Sequence, residues 1–202
     1  MKRYDIITEA DARQIDVGAT VALTPGGHIT PLALDTLRER RVTIVRNAID
    51  VELGSLTPVA DIRRIAIGAD HTGVALKAAL RDMLRSSGLS VDDVGTYGSD
   101  PVDYPDIAAQ VARLVARREA DAGIVIDGAG LGSTIAANKI DGIRAAMCND
   151  RTLARYAREH NGCNILALGA TLVTADEATA IVQTWIGTPM REPRYIRRLA
   201  KI

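Results

Sequence analysis

The sequence predicts an α/β fold: a sandwich of helices around a five-stranded parallel sheet, with a smaller α/β piece ahead of it. Two observations of chain pattern predict it, and the composition is compatible with it. From Arg63 onward, short apolar runs alternate five times with helix-compatible segments, the pattern of a doubly wound parallel sheet. The chain has no Phe and only 3% aromatic residues, so its core must be built from Ala, Val, Ile and Leu, as helix-covered parallel sheets allow. Residues 1–60 carry strand and helix signals of their own and end in a stretch of mixed polarity around Gly54 and Pro58.

In chain order, Thr20–Leu23 reads as a strand and Thr24-Pro25-Gly26-Gly27 as a turn. Thr30-Pro31 starts a helix, with Thr as N-cap and Pro at the first helical position. Val42–Val45 is a further strand, and Asn47–Asp61 a linker. This divides the chain into an appendage over 1–60 and a main domain over 61–202. In the main domain the expected strands are Ile65–Gly68, Ser90–Val94, Gly123–Ile126, Arg144–Met147 and Ile165–Leu168. The expected helices are Gly73–Ser86, Asp106–Arg118, a segment from Ser133 to Ala137, Thr152–Glu159 and Ala175–Trp185.

The totals exclude several classes. Lys plus Arg equals Asp plus Glu at 25 each, so nothing points to nucleic acid or a membrane surface as partner. No apolar run approaches the roughly 18–20 residues of a membrane span, and MKRYDIITEADAR has no signal-peptide core. Cys148 and Cys163 lack metal-ligand spacing and form no disulfide framework. A reduced, cytoplasmic setting is the expectation.

Open parallel sheets bind ligands beyond the carboxyl ends of their strands. Here that rim comprises Asp70-His71, Asp127–Gly132, Cys148–Asp150 and Gly169-Ala170. The central stretch is DAGIVIDGAGLGSTIAANK, a buried strand, then Asp127, then glycines at 128, 130 and 132, then a helix. Such a turn gathers backbone N–H groups that suit an anion. A carboxylate beside bound phosphate would repel it, so the arrangement fits an oxyanion held by N–H groups while Asp127 handles a proton. The plainer reading makes GAGLG a tight turn and Asp127 its capping residue. The Gly-x-Gly-x-Gly spacing is neither a dinucleotide fingerprint nor a P-loop.

His71 and His160 are both expected on the active face, at strand or helix ends. Tyr104 precedes a helix, from which a phenol reaches the cleft, or else it is a partly buried helix-start tyrosine. Arg194 and Arg198, four apart, share a helix face and suit a dianionic phosphate, against the alternative of a solvated basic tail.

GADHTG, VDYPDIA, GAGLGSTIAANK, GIRAAMCND, REHNGCNILALGA, TWIG and a final Arg-x-x-x-Arg occur in this order over about Arg63–Arg198. Together they resemble the ribose-5-phosphate isomerase B / galactose-6-phosphate isomerase family. The resemblance implies a Rossmann-like fold and metal-free, cofactor-free aldose–ketose isomerisation through a cis-enediol. It also implies homodimers or dimers of dimers with active sites shared between subunits. By the same resemblance Asp70 and His71 contact the sugar phosphate, Gly128, Ala129, Gly130, Leu131 and Gly132 form the anion hole, and Ser133 is a further substrate-binding residue. His160, with Asn161 beside it, opens the furanose ring. Arg194 and Arg198 hold the phosphate from the partner subunit, and Thr171 stands at a further substrate-contacting position. Residues 1–60 faintly resemble leader segments of enzymes tied to bacterial microcompartments. A docking or oligomerisation appendage is the plainer alternative.

The chain departs from the family pattern where the chemistry lies. Members commonly carry a cysteine base at the position of Asp127 and Thr or Ser at that of Ala129. Another branch places a glutamate at the position of Ser133, and Thr171 stands where arginine is frequent. Two readings follow. Asp127 serves as base, provided burial lifts its pKa from about 3.9 toward neutrality. Alternatively the chemistry is lost and the pocket only binds a sugar phosphate, as a regulatory or scaffold module. The changes beside the reacting carbons point to a pentose or tetrose phosphate other than ribose 5-phosphate.

Overall fold

The protein is described here by a computed structural model, which covers residues 2–45, 57–199 and 201–202. The chain divides into two compact units, Met1–Ser55 and Leu56–Ile202.

The first unit is a three-stranded parallel sheet in the order β1-β2-β3. Its elements are β1 (Arg3–Ile7), α1 (Glu9–Gln14), β2 (Thr20–Ile29), α2 (Pro31–Glu39) and β3 (Thr43–Val45). A capping box starts α1: the Thr8 hydroxyl accepts from Asp11 N–H, and the Asp11 carboxylate accepts from Thr8 N–H at 2.9 Å. Ile7, Ala12, Val21, Leu23, Ala33 and Leu37 form the core. Thr24–Gly27, expected as a turn, lies inside β2. The register slips there, with Tyr4 opposite Leu23 but Ile6 opposite His28, so the extra residues are taken up as a bulge. Thr30 and Pro31 stand at the N-cap and first position of α2 as expected. Of the expected linker, residues 47–56 lie outside the described residues.

The second unit alternates strictly. Its strands are β4 (Arg64–Ala69), β5 (Ser90–Asp93), β6 (Ala122–Asp127), β7 (Ala145–Met147) and β8 (Ile165–Gly169). Its helices are α3 (Val74–Ser86), α4 (Tyr104–Ala116), α5 (Leu131–Ala137), α6 (Arg151–Asn161), α7 (Ala175–Gly187) and α8 (Pro193–Leu199). All strands run parallel in the order β5-β4-β6-β8-β7, a three-layer Rossmann-like sandwich.

Side-chain alternation builds the two cores. Ile65, Ile67, Ile124, Ile126, Leu166 and Leu168 face α3, α6 and α7, where Trp185 is fully buried. Ala66, Val125, Ile165 and Ala167 face α4 and α5. The buried Lys77 ammonium pairs with Asp93 and lies 4.3 Å from the Tyr97 ring centre. Arg158, also buried, donates to the backbone oxygens of Cys163 at 2.8 Å and Val59 at 2.6 Å, fixing the start of this unit.

Candidate active site

β6 is the central strand, and Asp127 closes it opposite Gly169 at the carboxyl edge. The turn that follows needs glycine at 130. Its φ is +77°, and a Cβ there would lie 2.8 Å from Met147 Cγ. Once the turn forms, its N–H groups converge on Asp127. Ala129 N–H donates to Oδ1 at 2.9 Å, Gly130 N–H donates to the same oxygen, and Ser133 N–H donates to Oδ2 at 2.8 Å.

Burial pushes the Asp127 carboxyl up, but the Ser133 hydroxyl and the N–H groups of Ser133, Gly130 and Ala129 outweigh it. The net pKa is lowered from the ordinary carboxylate value. This corrects two expectations. Burial does not carry Asp127 toward neutrality, because hydrogen bonds to the charged form win over desolvation. Two N–H groups expected to cradle a substrate oxyanion, those of Ala129 and Gly130, are already engaged by the chain's own carboxylate, together with that of Ser133.

Two loops and a helix start lie around this turn. After β4, Asp70 N–H donates to Ile126 O at 3.0 Å, and buried Asp70 accepts from Thr72 N–H at 2.9 Å and its hydroxyl at 2.6 Å. A Cβ on Gly128 would stand 3.8 Å from the Thr72 hydroxyl, so the loops run side by side. His71 Nδ1 accepts from Val102 N–H at 3.4 Å, which assigns the neutral ring's proton to Nε2. Tyr104, the first residue of α4, lays its ring across Gly132. Thr171 donates to Gly128 O through its hydroxyl at 2.6 Å and its N–H at 3.0 Å, bracing the turn. Asp70, His71, Tyr104, Gly128–Ser133 and Thr171 therefore share one edge.

His160 does not. Helix α6 leads into the amino end of β8, where Ile165 pairs with Gly123, so His160 in its last turn lies at the opposite edge from Asp127. Along β8 alone the separation is about 13 Å at a rise of ~3.3 Å per residue. The expectation of His160 on the Asp127 face is corrected: in an alternating parallel fold a helix runs back against its strands, so its end reaches the amino edge.

There His160 is sandwiched between Tyr156 and Tyr195, with ring centres 4.7 and 4.4 Å away. Arg194 and Arg198 lie over the same Tyr195 ring at 4.7 and 5.8 Å, and Arg194 Nη2 donates to its hydroxyl at 3.0 Å. Asn161 ends α6, its amide donating to Tyr156 O at 3.2 Å. Tyr156 and Tyr195 were not singled out in the sequence. The i, i+4 spacing of Tyr156 and His160, and the place of Tyr195 between the two arginines, carried the signal.

Beside edge strand β7 runs a cavity of about 880 Å³, lined by Ile140, Ile143, Met147, Leu153, Tyr156 and Asn161 among others. Asp127 and His160 do not line it. Cys148 and Cys163 do, but burial pushes their thiols up to about 12 and about 11, so neither supplies a thiolate base near neutrality. Among the described residues no group of three or more His, Cys, Asp or Glu could hold a metal, and no helix is long and apolar enough to cross a membrane.

A sequence profile described as Ribose/Galactose Isomerase matches residues 65–202. The chain belongs to that family. Within it, the chain is 42% identical over 141 residues to ribose-5-phosphate isomerase B of Escherichia coli, covering 70% of this chain and 95% of that protein. It is 39% identical over 124 residues to a D-erythrulose-4-phosphate isomerase of Pectobacterium atrosepticum, covering 60% and 81% of the two chains. The ribose-5-phosphate isomerase B structure of Clostridium thermocellum superposes with a TM-score of 0.67 at 48% identity, covering 68% and 93%. The profile match leaves the first unit of the chain uncovered.

Proposed function

We propose that the protein interconverts an aldose phosphate and a ketose phosphate, of four or five carbons, through a cis-enediol with Asp127 as base. The observation that carries this is an ionised carboxylate at the end of the central strand, flanked by Asp70, His71 and Tyr104, in a chain of this isomerase family. Asp127 takes the proton from C2 of the aldose, the C–H electron pair becomes the C1–C2 double bond, and O1 takes up negative charge. The O2 proton passes to O1, the proton on Asp127 returns to C1, and C2 becomes the carbonyl. Atoms and electrons balance with no further reactant.

The opposed placement of the two residue sets supports a site completed by a second copy. Asp70, His71, Tyr104, Asp127 and Thr171 come from one subunit. His160, Asn161, Arg194 and Arg198 come from its partner, where they open the ring and hold the phosphate. The first unit serves as a docking or oligomerisation appendage, and the protein works in the cytoplasm.

A second reading rests on the lowered pKa of Asp127. A weaker base slows enolisation, and a chain with that function gone would bind sugar phosphates as a regulatory or scaffold module. Solvent deuterium exchange against a panel of tetrose and pentose phosphates separates the two. Deuterium entering beside the carbonyl supports the isomerase, and tight binding without exchange across the panel supports the module.

A further inference from the structure

The occupied turn leaves open what holds the oxyanion in this chain. With Ala129, Gly130 and Ser133 N–H groups on Asp127, an enediolate oxygen at those donors would face a carboxylate at hydrogen-bond range. A donor clear of that carboxylate is offered by a side chain on the same edge.

Tyr104 meets the requirements of geometry and chemistry. It opens α4, whose first turn stands at the carboxyl edge beside the Asp127 loop. A Cβ on Gly132 would lie 2.7 Å from the Tyr104 hydroxyl oxygen and 2.5 Å from Cε2, so glycine at 132 makes room for this ring. The side chain is 40% exposed, open enough to meet a ligand. Among the described residues its hydroxyl makes no hydrogen bond. A phenol is both donor and acceptor, so it gives a strong hydrogen bond to an enolate-like oxygen.

We propose that the Tyr104 hydroxyl is the side-chain donor that stabilises the developing oxyanion at O1, in place of the turn N–H groups held by Asp127. This rests on the isomerase reading above. As Asp127 takes the carbon-bound proton, charge gathers on O1 and the phenol O–H shortens toward it. When the O2 proton passes to O1, the charge leaves that oxygen and the hydrogen bond relaxes. The phenol proton stays on Tyr104 throughout.

The test compares wild type with Tyr104→Phe, which removes one oxygen that has no partner in the protein and so spares the fold. A second variant, Gly132→Ala, keeps the hydroxyl but pushes the ring aside. The probe is the hydroxamate analogue of the aldonic acid phosphate, whose bound anion imitates the enediolate, with inorganic phosphate as control. Both variants should lose at least tenfold in hydroxamate affinity and roughly 10²–10³-fold in kcat, with phosphate affinity unchanged. In an Asp127→Cys background, where the turn N–H groups are released, Tyr104→Phe should cost less than tenfold in hydroxamate affinity. Unchanged hydroxamate affinity in Tyr104→Phe overturns the proposal, and so does an equal cost in both backgrounds. A wild type that binds the hydroxamate but exchanges no deuterium sinks the isomerase reading, while the affinity comparison still decides Tyr104. A wild type that does neither overturns both.

Discussion

In Asp127→Asn the oxygen that accepts from Ala129 and Gly130 can remain, while the other becomes an NH₂ group facing Ser133 N–H. The wild-type contact there is 2.8 Å, a distance at which two donors repel. The Ser133 N–H loses its partner at a buried position, which costs about 1–3 kcal/mol. The two retained bonds lose their charge assistance, about 1 kcal/mol each. Relief of carboxylate desolvation offsets part of this, leaving a net loss of about 2–4 kcal/mol. For a chain of this size that lowers Tm by roughly 4–16 °C.

The pH dependence follows from the direction of the shift. The folded pKa of Asp127 lies below its ordinary value. Its stabilising contribution is therefore complete above the unfolded pKa of about 3.9 and is lost as pH falls through the folded value. Thermal unfolding of wild type and variant should give the same gap at pH 7 and 5, a slightly smaller one at pH 4, and a closing gap on further acidification. A gap under about 1 kcal/mol at pH 7, or one that narrows between pH 7 and 5, would refute the hydrogen-bonding account of this turn.

Two further predictions concern other clusters. Tyr195→Ala removes the face against which His160, Arg194 and Arg198 lie, and should raise KM about tenfold, while Tyr195→Phe keeps most of the affinity; equal KM in all three proteins would detach the arginines from the phosphate. Asp93→Ala leaves the buried Lys77 ammonium unpaired and should cost about 3–5 kcal/mol in urea unfolding, with Lys77→Met/Asp93→Leu recovering most of it; a single variant as stable as wild type would show the pair to be idle.

The second unit was legible because its signals are local and repeated. Buried β-branched runs such as Gly123–Ile126 mark its elements to within a few residues. The first unit was less so. Its β1 and α1 escaped notice because the Thr8–Asp11 capping box uses Asp instead of Glu or Gln, and α1 has only 6 residues. The TPGG stretch reads as a turn by composition, yet pairing with β1 draws it into a bulged strand. At the site, residue identities were legible but their partners were not. Which N–H groups Asp127 takes depends on how the turn closes, and that closure set the direction of its pKa. The edge on which His160 lies follows from topology, which strand and helix propensities do not specify by themselves.

The central claim is that one copy's Asp127 edge works with another copy's His160 and arginine edge. Mixing two inactive variants tests it directly. Asp127→Asn cannot accept the proton, and Arg194→Ala/Arg198→Ala cannot hold the phosphate. Each is inactive alone at a temperature where both remain folded. After co-refolding, about half of the dimers are heterodimers, and in each the two-fold arrangement places both defects in one site and none in the other. The account predicts recovery to about a quarter of wild-type activity. A mixture that stays inactive although subunit exchange is demonstrated would contradict it.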